Sequence, residues 1–446
     1  MVFPALIFLP TDPTPAVLDA AFTAAFADAQ APAVAAAMVK DGHTVWAKAS
    51  GFEDLAKTKP ATPNSVFRLA SLTKAFTATV VLQLVNEKKL SLDDTIGQRL
   101  PELPKAWQGA TIRQLLSHTS GIPSYTDLPD FIAKLNEKWT PAQIVARTAD
   151  KPLDFPSGTK WAYDNTGYVI LGMLVEKLDR KPFAQSLSKR IFKPLGMTRT
   201  MLDVGDSKDV ADATDGKGKP AITINMSQPY AAGSIVSTAN DMAKWLGAQG
   251  SEKLLPAALW KEAWTPVKLA DGTSTHYAFG WEVREQNGVP TIEHSGGIPG
   301  FHTYLRRVPS LGLSVVVLAN SDISDPGMVA TKLLEAADSS LKASDAAIAD
   351  PDPKVTASVE TLLKQFAEGK PDRSVLNKDL DDRLTSEMAT GMKDLLTSFG
   401  AFQEIRLVKL QGPVRTYLVR YEKKSVRVIA SVGPDGKFMG FGIRPA

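Results

Sequence analysis

The chain of 446 residues contains no cysteine. That removes disulfide scaffolds, thiolate zinc sites, iron–sulfur clusters and cysteine nucleophiles together. Histidine is scarce as well: of the five present, His43, His118, His276 and His302 show no HExxH or other metal spacing. No uninterrupted apolar run reaches the roughly 18 residues of a membrane-spanning helix. Excess charge of either sign is also missing, since 51 basic residues face 48 acidic ones for a net +3. Such a balance leaves no electrostatic footprint for nucleic acid or an anionic membrane. What is present is 44% hydrophobic and 22% charged residues, enough to build sizeable cores. The chemistry left open uses oxygen or nitrogen nucleophiles, carboxylates, or a metal held without sulfur.

The organisation reads as two domains. Met1–Leu9 is apolar without a basic n-region and is set aside, with residues 1–14 taken as a tail or signal remnant. Pro15–Ala29 reads as an Ala-rich helix, followed by a hairpin of Ala33–Val39 and Thr44–Ala49 around Lys40-Asp41-Gly42. From Ser71 to Lys88, Phe76, Val80, Val81, Leu84 and Val85 recur at helical spacing. Strand patterns return at Ala278–Val283, Thr303–Val308 and Leu313–Leu318. Strands at both ends with helices between predict an α+β unit over 15–337 whose terminal strands share one sheet. Residues 338–352 are small, polar and proline-punctuated, as a linker requires. Beyond them, 353–446 predicts helices at Val359–Phe366 and Met388–Thr397. Strands follow at Glu404–Leu410, Arg415–Tyr421, Ser425–Val432 and Phe438–Ile443, the last pair joined by a Pro434-Asp435-Gly436-Lys437 turn.

Three short constellations carry chemistry. Ser71-Leu72-Thr73-Lys74 places a hydroxyl and an amine one helical turn apart, so the amine can reach the serine. A serine becomes a nucleophile when a neighbouring base takes its proton, and a lysine of depressed pKa can do so. Tyr163-Asp164-Asn165 lies in a Gly/Pro-flanked loop before a helix beginning near Gly167, offering a phenol and an amide with both donor and acceptor. His294-Ser295-Gly296-Gly297 follows a strand-like run, Pro290–Glu293. Its small residues let a backbone N–H approach a substrate closely, as an oxyanion hole requires. Each is weak alone; their order and separation make the set specific. Tyr125, Trp139 and Phe155 are read first as core and second as cleft lining, and His118 as a structural residue of its turn.

The set resembles the serine β-lactamase and penicillin-binding-protein superfamily, in the branch of class C β-lactamases, DD-peptidases, D-aminopeptidases and related esterases. Phe67–Ala70, Leu115–Pro123, Ala231–Thr238 and Gly300–Asn320 are further landmarks, and the likeness covers about residues 15–337. It implies a β-lactamase-like fold, a central antiparallel sheet flanked by helices with an all-helical region. The C-terminal segment resembles a small α+β accessory domain similar to the nuclear-transport-factor-2 (NTF2-like) cone. The resemblance further implies acyl transfer through Ser71, with Lys74 and Tyr163 sharing the proton work and either one left open as the base. Ser71 and Gly297 N–H groups would hold the oxyanion, and Asn165 would orient the substrate or Lys74.

Two departures bear on substrate. His294 stands where β-lactamases and DD-peptidases usually carry lysine, and neutral imidazole is no permanent cation for a carboxylate. Asp322 and Asp325 stand where class C enzymes carry asparagines, and would repel a carboxylate if they face the site. The expectation is a serine hydrolase of esters or amides, the candidate substrates being D-amino-acid peptides, short esters and β-lactams, with no cofactor or metal. Its partners are a small-molecule or peptide substrate, with no nucleic acid and no stable membrane insertion. The accessory domain is expected to pack or to dimerise, with restriction of the cleft as the alternative. The rival class is a penicillin-binding module of little activity that holds a cell-wall ligand, against which the full catalytic set argues. The expected location is periplasmic or secreted, with the cytoplasm left open.

Overall fold

The computed structural model describes residues 13–205, 207 and 209–445, so the apolar Met1–Leu9 stretch lies outside the described residues. The chain divides into two compact units, Met1–Leu341 and Lys342–Ala446.

In the first unit, α1 (Pro15–Asp28) opens on a proline, whose missing N–H would have no helical partner at that position. Asp41 and Gly42 both take positive φ, 47° and 85°, which closes a two-residue hairpin between β1 (Ala33–Lys40) and β2 (His43–Gly51). The longest helices of the stretch that follows are α2 (Thr73–Asn86), α3 (Asn165–Asp179) and α4 (Ala239–Ala248). The chain then returns to strands β3 (Glu282–Gln286), β4 (Val289–Ile298), β5 (Phe301–Val308) and β6 (Leu313–Ala319), and ends in α5 (Pro326–Ala337). The six strands form one antiparallel sheet in the order β2-β1-β6-β5-β4-β3. Val34 pairs with Ala319 and Lys40 with Leu313, so strands from both ends of the unit meet at its centre.

Both faces of that centre are covered, which is why β1 and β6 read as continuous apolar runs. Val34, Ala36 and Met38 join Leu18 and Phe22 of α1 and Val329 and Leu333 of α5 in one core. Ala35, Ala37 and Val39, on the opposite face, join Phe76 of α2 and Trp245 of α4, whose rings stack at 3.9 Å. The second core fixes α2 against the sheet, and α2 carries Lys74 in its first turn, directly after the turn that holds Ser71.

Two strand expectations shift. Ala278–Val283 is not one strand: Ala278 N–H bonds the Trp281 carbonyl in a turn, and β3 begins only at Glu282. Gly280 has φ +77° there, and a Cβ on it would lie 2.9 Å from the Lys74 carbonyl oxygen, so the turn is what lets this segment approach α2. Conversely, β4 does not stop at Glu293 but runs on through His294–Ile298. Gly296-Gly297 does not terminate it because β5 supplies ladder partners for both.

The second unit places α6 (Pro353–Glu368) and α7 (Ser386–Ser398) before an antiparallel meander of β7 (Phe402–Gln411), β8 (Val414–Tyr421), β9 (Ser425–Val432) and β10 (Phe438–Pro445). Val359, Leu363 and Phe366 of α6 pack on Tyr417, Val419 and Val428. Residues around the division are not free chain. Leu341 is fully buried in the first unit, and its carbonyl accepts from the Asn287 amide at 2.7 Å. Asp350 pairs with Arg415 at 2.9 Å, and Ile348 N–H bonds the Leu407 carbonyl, within the second unit.

Candidate active site

Ser71 sits in a 3₁₀ turn, Ala70–Leu72, that runs directly into α2. Ala70 holds φ +49°, unusual for a residue with a side chain, and the Leu69 carbonyl accepts from Thr303 Oγ1 at 2.8 Å. The bend is thus tied to β5 and holds Ser71 out of the regular helix.

Lys74 is completely buried. Its Nζ lies 3.1 Å from Ser71 Oγ, 2.8 Å from Asn165 Oδ1 and 2.9 Å from the Ala232 carbonyl oxygen. The Tyr163 ring centroid is 4.7 Å from Nζ and that of Tyr168 5.4 Å. Loss of water lowers the amine's pKa to about 7, against the pull of the Asp164 carboxylate. Tyr163 moves the other way: burial pushes its phenol well above the ordinary tyrosine value, opposed by its hydrogen bond with Ser71.

Asp164 and Asn165 are presented by the start of α3. Asp164 is its N-cap, with Oδ2 accepting the Gly167 N–H at 2.9 Å. The helix therefore begins two residues earlier than Gly167, at Asn165 itself. Asn165 Nδ2 donates to Thr126 Oγ1 at 3.1 Å, which turns Oδ1 toward Lys74. Asn165 Oδ1 is thus engaged with Lys74 Nζ.

His294, Ser295, Gly296 and Gly297 lie within β4 rather than after it. β3 pairs only with Val289–Glu293, and β5 pairs with Ile292–Ile298 on the other side. The Pro299-Gly300 turn makes Ile298 and Phe301 a hydrogen-bonded pair, and alternation then points the Ser295 and Gly297 backbone groups away from β5, toward the edge β3 leaves uncovered. Gly296 faces the Ser71 turn so closely that a Cβ would lie 2.3 Å from both the Leu69 carbonyl oxygen and Thr303 Oγ1. Gly297 is exposed.

His294 is buried and both its nitrogens are taken. Nε2 lies 2.9 Å from Tyr277 Oη, and Nδ1 2.6 Å from the Ser295 carbonyl oxygen. Tyr277 Oη is also 3.2 Å from His118 Nε2, and the Asp164 backbone N–H donates to His118 Nδ1 at 3.1 Å. The directions follow from the fixed ends: His118 Nε2–H donates to Tyr277, Tyr277 donates to His294 Nε2, and His294 Nδ1–H donates to Ser295. Burial, reinforced by Lys74, pulls His294 down to about 3 and His118 well below its ordinary value, so both are neutral.

The two aspartates differ in use. Asp322 accepts the Gly300 N–H and so braces the β4–β5 turn. Asp325 caps α5 through the Met328 N–H at 2.9 Å. Together with Ser295, Gly297, His302 and Tyr304 it lines a cavity of about 340 Å³. Tyr125 and Trp139 belong to the core, and Phe155 is buried too. Among the described residues no group of three or more histidine, aspartate or glutamate side chains is arranged to hold a metal. Sequence reasoning missed Tyr277 and the Ala232 carbonyl. Tyr277 belongs to no local motif, and a backbone acceptor leaves no signal in residue type.

Residues 18–338 match the family described as Beta-lactamase. Penicillin-binding protein 4* of Bacillus subtilis is 28% identical over 303 residues, which cover 63% of this chain and 66% of that protein. Unguisins hydrolase ungD' of Aspergillus campestris is 30% identical over 323 residues, covering 66% of this chain and 59% of that one. The chain thus spans less than two thirds of the length of these curated relatives. Among solved structures, a D-stereospecific amidohydrolase from Streptomyces superposes with a TM-score of 0.61 at 29% identity, over 73% of this chain and 99% of that chain. The chain belongs to the beta-lactamase family.

Proposed function

We propose that the protein is a serine acyl-hydrolase of amide or ester bonds, acylated on Ser71 with Lys74 as the base. The observation that carries this is the bonding of Lys74 Nζ. A neutral amine has two N–H donors and one lone pair. The donors are taken by Asn165 Oδ1 and the Ala232 carbonyl, which leaves the lone pair for the Ser71 hydroxyl at 3.1 Å. With a pKa of about 7, a large share of the amine is already neutral at neutral pH. The Tyr163 phenol, pushed upward, keeps its proton and serves as a donor near Ser71 rather than as the resting base.

The steps follow. Ser71 Oγ attacks the substrate carbonyl while its proton passes to Lys74. The oxyanion is held by the N–H groups of Ser71 and Gly297, the latter on the uncovered edge of β4. Tyr163 donates a proton to the departing amine or alkoxide and recovers it through Lys74. Water then attacks the acyl-Ser71 ester by the reverse proton path.

The surroundings favour substrates without a carboxylate beside the scissile bond. His294 is neutral with both nitrogens engaged, and Asp325 lends negative charge to the cavity bordering Ser295 and Gly297. D-amino-acid amides, amidated D-peptides and short esters fit better than penicillins. The test is labelling with a fluorophosphonate, followed by turnover of D-phenylalanine amide, p-nitrophenyl acetate and nitrocefin. Labelling and turnover should vanish in Ser71→Ala. A modified residue other than Ser71 overturns the mechanism, and a nitrocefin kcat/KM above about 10⁵ M⁻¹s⁻¹ overturns the substrate preference.

A further inference from the structure

At the far end of the sheet from Ser71, four neighbouring side chains bury polar atoms that the fold leaves unpaired. Ser314 of β6 stands directly opposite Arg307 of β5 and Val39 of β1, and cross-strand partners share a face. Val39 belongs to the core that α4 covers, so Arg307 and Ser314 lie on that side too. The chain leaves α4 beside them through Gln249 and Gly250. Gly250, at φ +78°, comes so close that a Cβ would lie 3.2 Å from Arg307 Nη2 and 3.4 Å from the Trp264 ring. Trp264 follows the short helix Ala257–Ala263, and its ring centroid is 5.1 Å from the guanidinium carbon.

Arg307 Nε, Trp264 Nε1, Ser314 Oγ and both amide atoms of Gln249 are buried and have no hydrogen-bond partner among the described residues. Gln249 is 4% exposed and Ser314 1%. Buried polar atoms left unpaired are costly, and native folds keep few of them. The set is also lopsided. The guanidinium, indole and amide N–H groups and the hydroxyl can all donate, and only the Gln249 carbonyl is solely an acceptor. No carboxylate offsets the cation: burial alone acts on Arg307 and pulls its pKa down. Arg306, the preceding residue, shows the contrast, since it pairs with Glu293 at 2.7 Å. A guanidinium offers Nε and Nη as a fork that matches two oxygens of one anion.

We propose that this cluster binds a small oxyanion, a carboxylate or a phosphate, on the Arg307 fork with Gln249, Ser314 and Trp264 as further donors. The site is separate from the catalytic centre. His302 lines the cavity beside Gly297, and from His302 to Arg307 along β5 is roughly 17 Å. The proposal therefore stands or falls independently of the acyl-serine reading.

The experiment is calorimetric titration of the full chain with sodium acetate and with sodium phosphate, at an ionic strength held by sodium chloride. Wild type, Arg307→Met and Gln249→Met are compared. Wild type should bind at least one anion saturably with a Kd of about 1 mM or tighter, and the better binder tells carboxylate from phosphate. Arg307→Met should bind neither, and Gln249→Met should bind about tenfold more weakly. Melting temperatures should cross over. With the anion present wild type melts higher, and in chloride alone Gln249→Met equals or exceeds it, because it buries no unpaired amide. If Arg307→Met does not fold, Gln249→Met and Ser314→Ala decide the matter, both weakened if the site is real. No saturable binding by wild type up to about 20 mM of either anion overturns the proposal. Affinity that is unchanged in the folded variants overturns it as well, and water is then the partner of these atoms.

Discussion

Tyr277 Oη stands 2.9 Å from His294 Nε2, and that single hydroxyl fixes the tautomers of two buried histidines. The arrangement is a clamp rather than a proton wire. At its far end His118 Nδ1 accepts a backbone N–H that cannot be released, so no proton can leave His118 Nε2 without creating an imidazolate. Tyr277→Phe should leave a donor on His118 and an acceptor on His294 unpaired. The expected loss is about 1–3 kcal/mol of stability, read by chemical denaturation. Nitrogen NMR should show the rings of His118 and His294 non-titrating from pH 5 to 8, with Nε2–H on His118 and Nδ1–H on His294. Titration of the His118 or His294 ring near pH 6.5 in the wild type would contradict the clamp.

The two glycines of β4 should respond differently to the same methyl group. In Gly296→Ala the Cβ collides with the Leu69 carbonyl oxygen and Thr303 Oγ1, so β4 must move from the nucleophile turn. Labelling at Ser71 should fall by about 100-fold or more, as a displacement near 1 Å at a reacting centre does. In Gly297→Ala the nearest contact is His302 at 3.5 Å, an ordinary distance. That variant should keep its melting temperature within a few degrees. Equal loss of stability in both would argue against the placement of this strand.

Asn165→Asp keeps the shape and the acceptor but sets an anion 2.8 Å from the Lys74 amine. The ammonium is then favoured, its pKa rises, and less of the free base is present at neutral pH. The acid limb of kcat/KM should move up by about one unit or more, with activity at pH 7 reduced about tenfold. A limb that moves down or stays put would count against Lys74 as the base.

Burial of Lys74 and Asp164 also makes stability depend on pH, with opposite signs on the two sides of neutrality. Asp164 is raised to about 7 in the fold, so between its ordinary value near 4 and about 7 the folded chain holds a proton that the unfolded chain lacks. Stability from this group falls as pH rises through that window. Lys74 is lowered to about 7, so from about 7 up to its ordinary value near 10.4 the unfolded chain holds the extra proton and stability rises. The pair contributes a minimum near pH 7. Denaturant titrations should show Asp164→Asn flattening the acidic side of that minimum and leaving the alkaline side in place.

Much of the fold is legible because its signals are local. The hairpin at Asp41-Gly42, the helical spacing after Ser71 and the C-terminal meander each rest on a few neighbouring residues, and their elements appear close to the expected bounds. The extent of β4 is not local. The strand-like pattern covers only Pro290–Glu293, with His294–Gly297 after it, yet the ladder with β5 continues through Gly296-Gly297 and the close approach to Leu69 demands glycine within the strand. The same limit applies at the site. Ser71, Lys74, Tyr163 and Asn165 announce themselves by spacing and residue type. Tyr277, the Ala232 carbonyl and the Thr126 hydroxyl that turns Asn165 do not, since each matters only through a partner distant in sequence.

The central pairing of β1 with β6 has a consequence for how the protein is made. The Ala33 N–H is satisfied by Asn320 Oδ1, 287 residues further along. At a synthesis rate of about 5–20 residues per second, β1 waits on the order of 15–60 s for that partner to leave the ribosome. Throughout that interval the apolar segment Ala33–Val39 has a paired hairpin edge on one side and an open edge on the other. The nascent chain is therefore most exposed to misassociation before residue 319 emerges, and Ser71 gains its full surroundings only after that point.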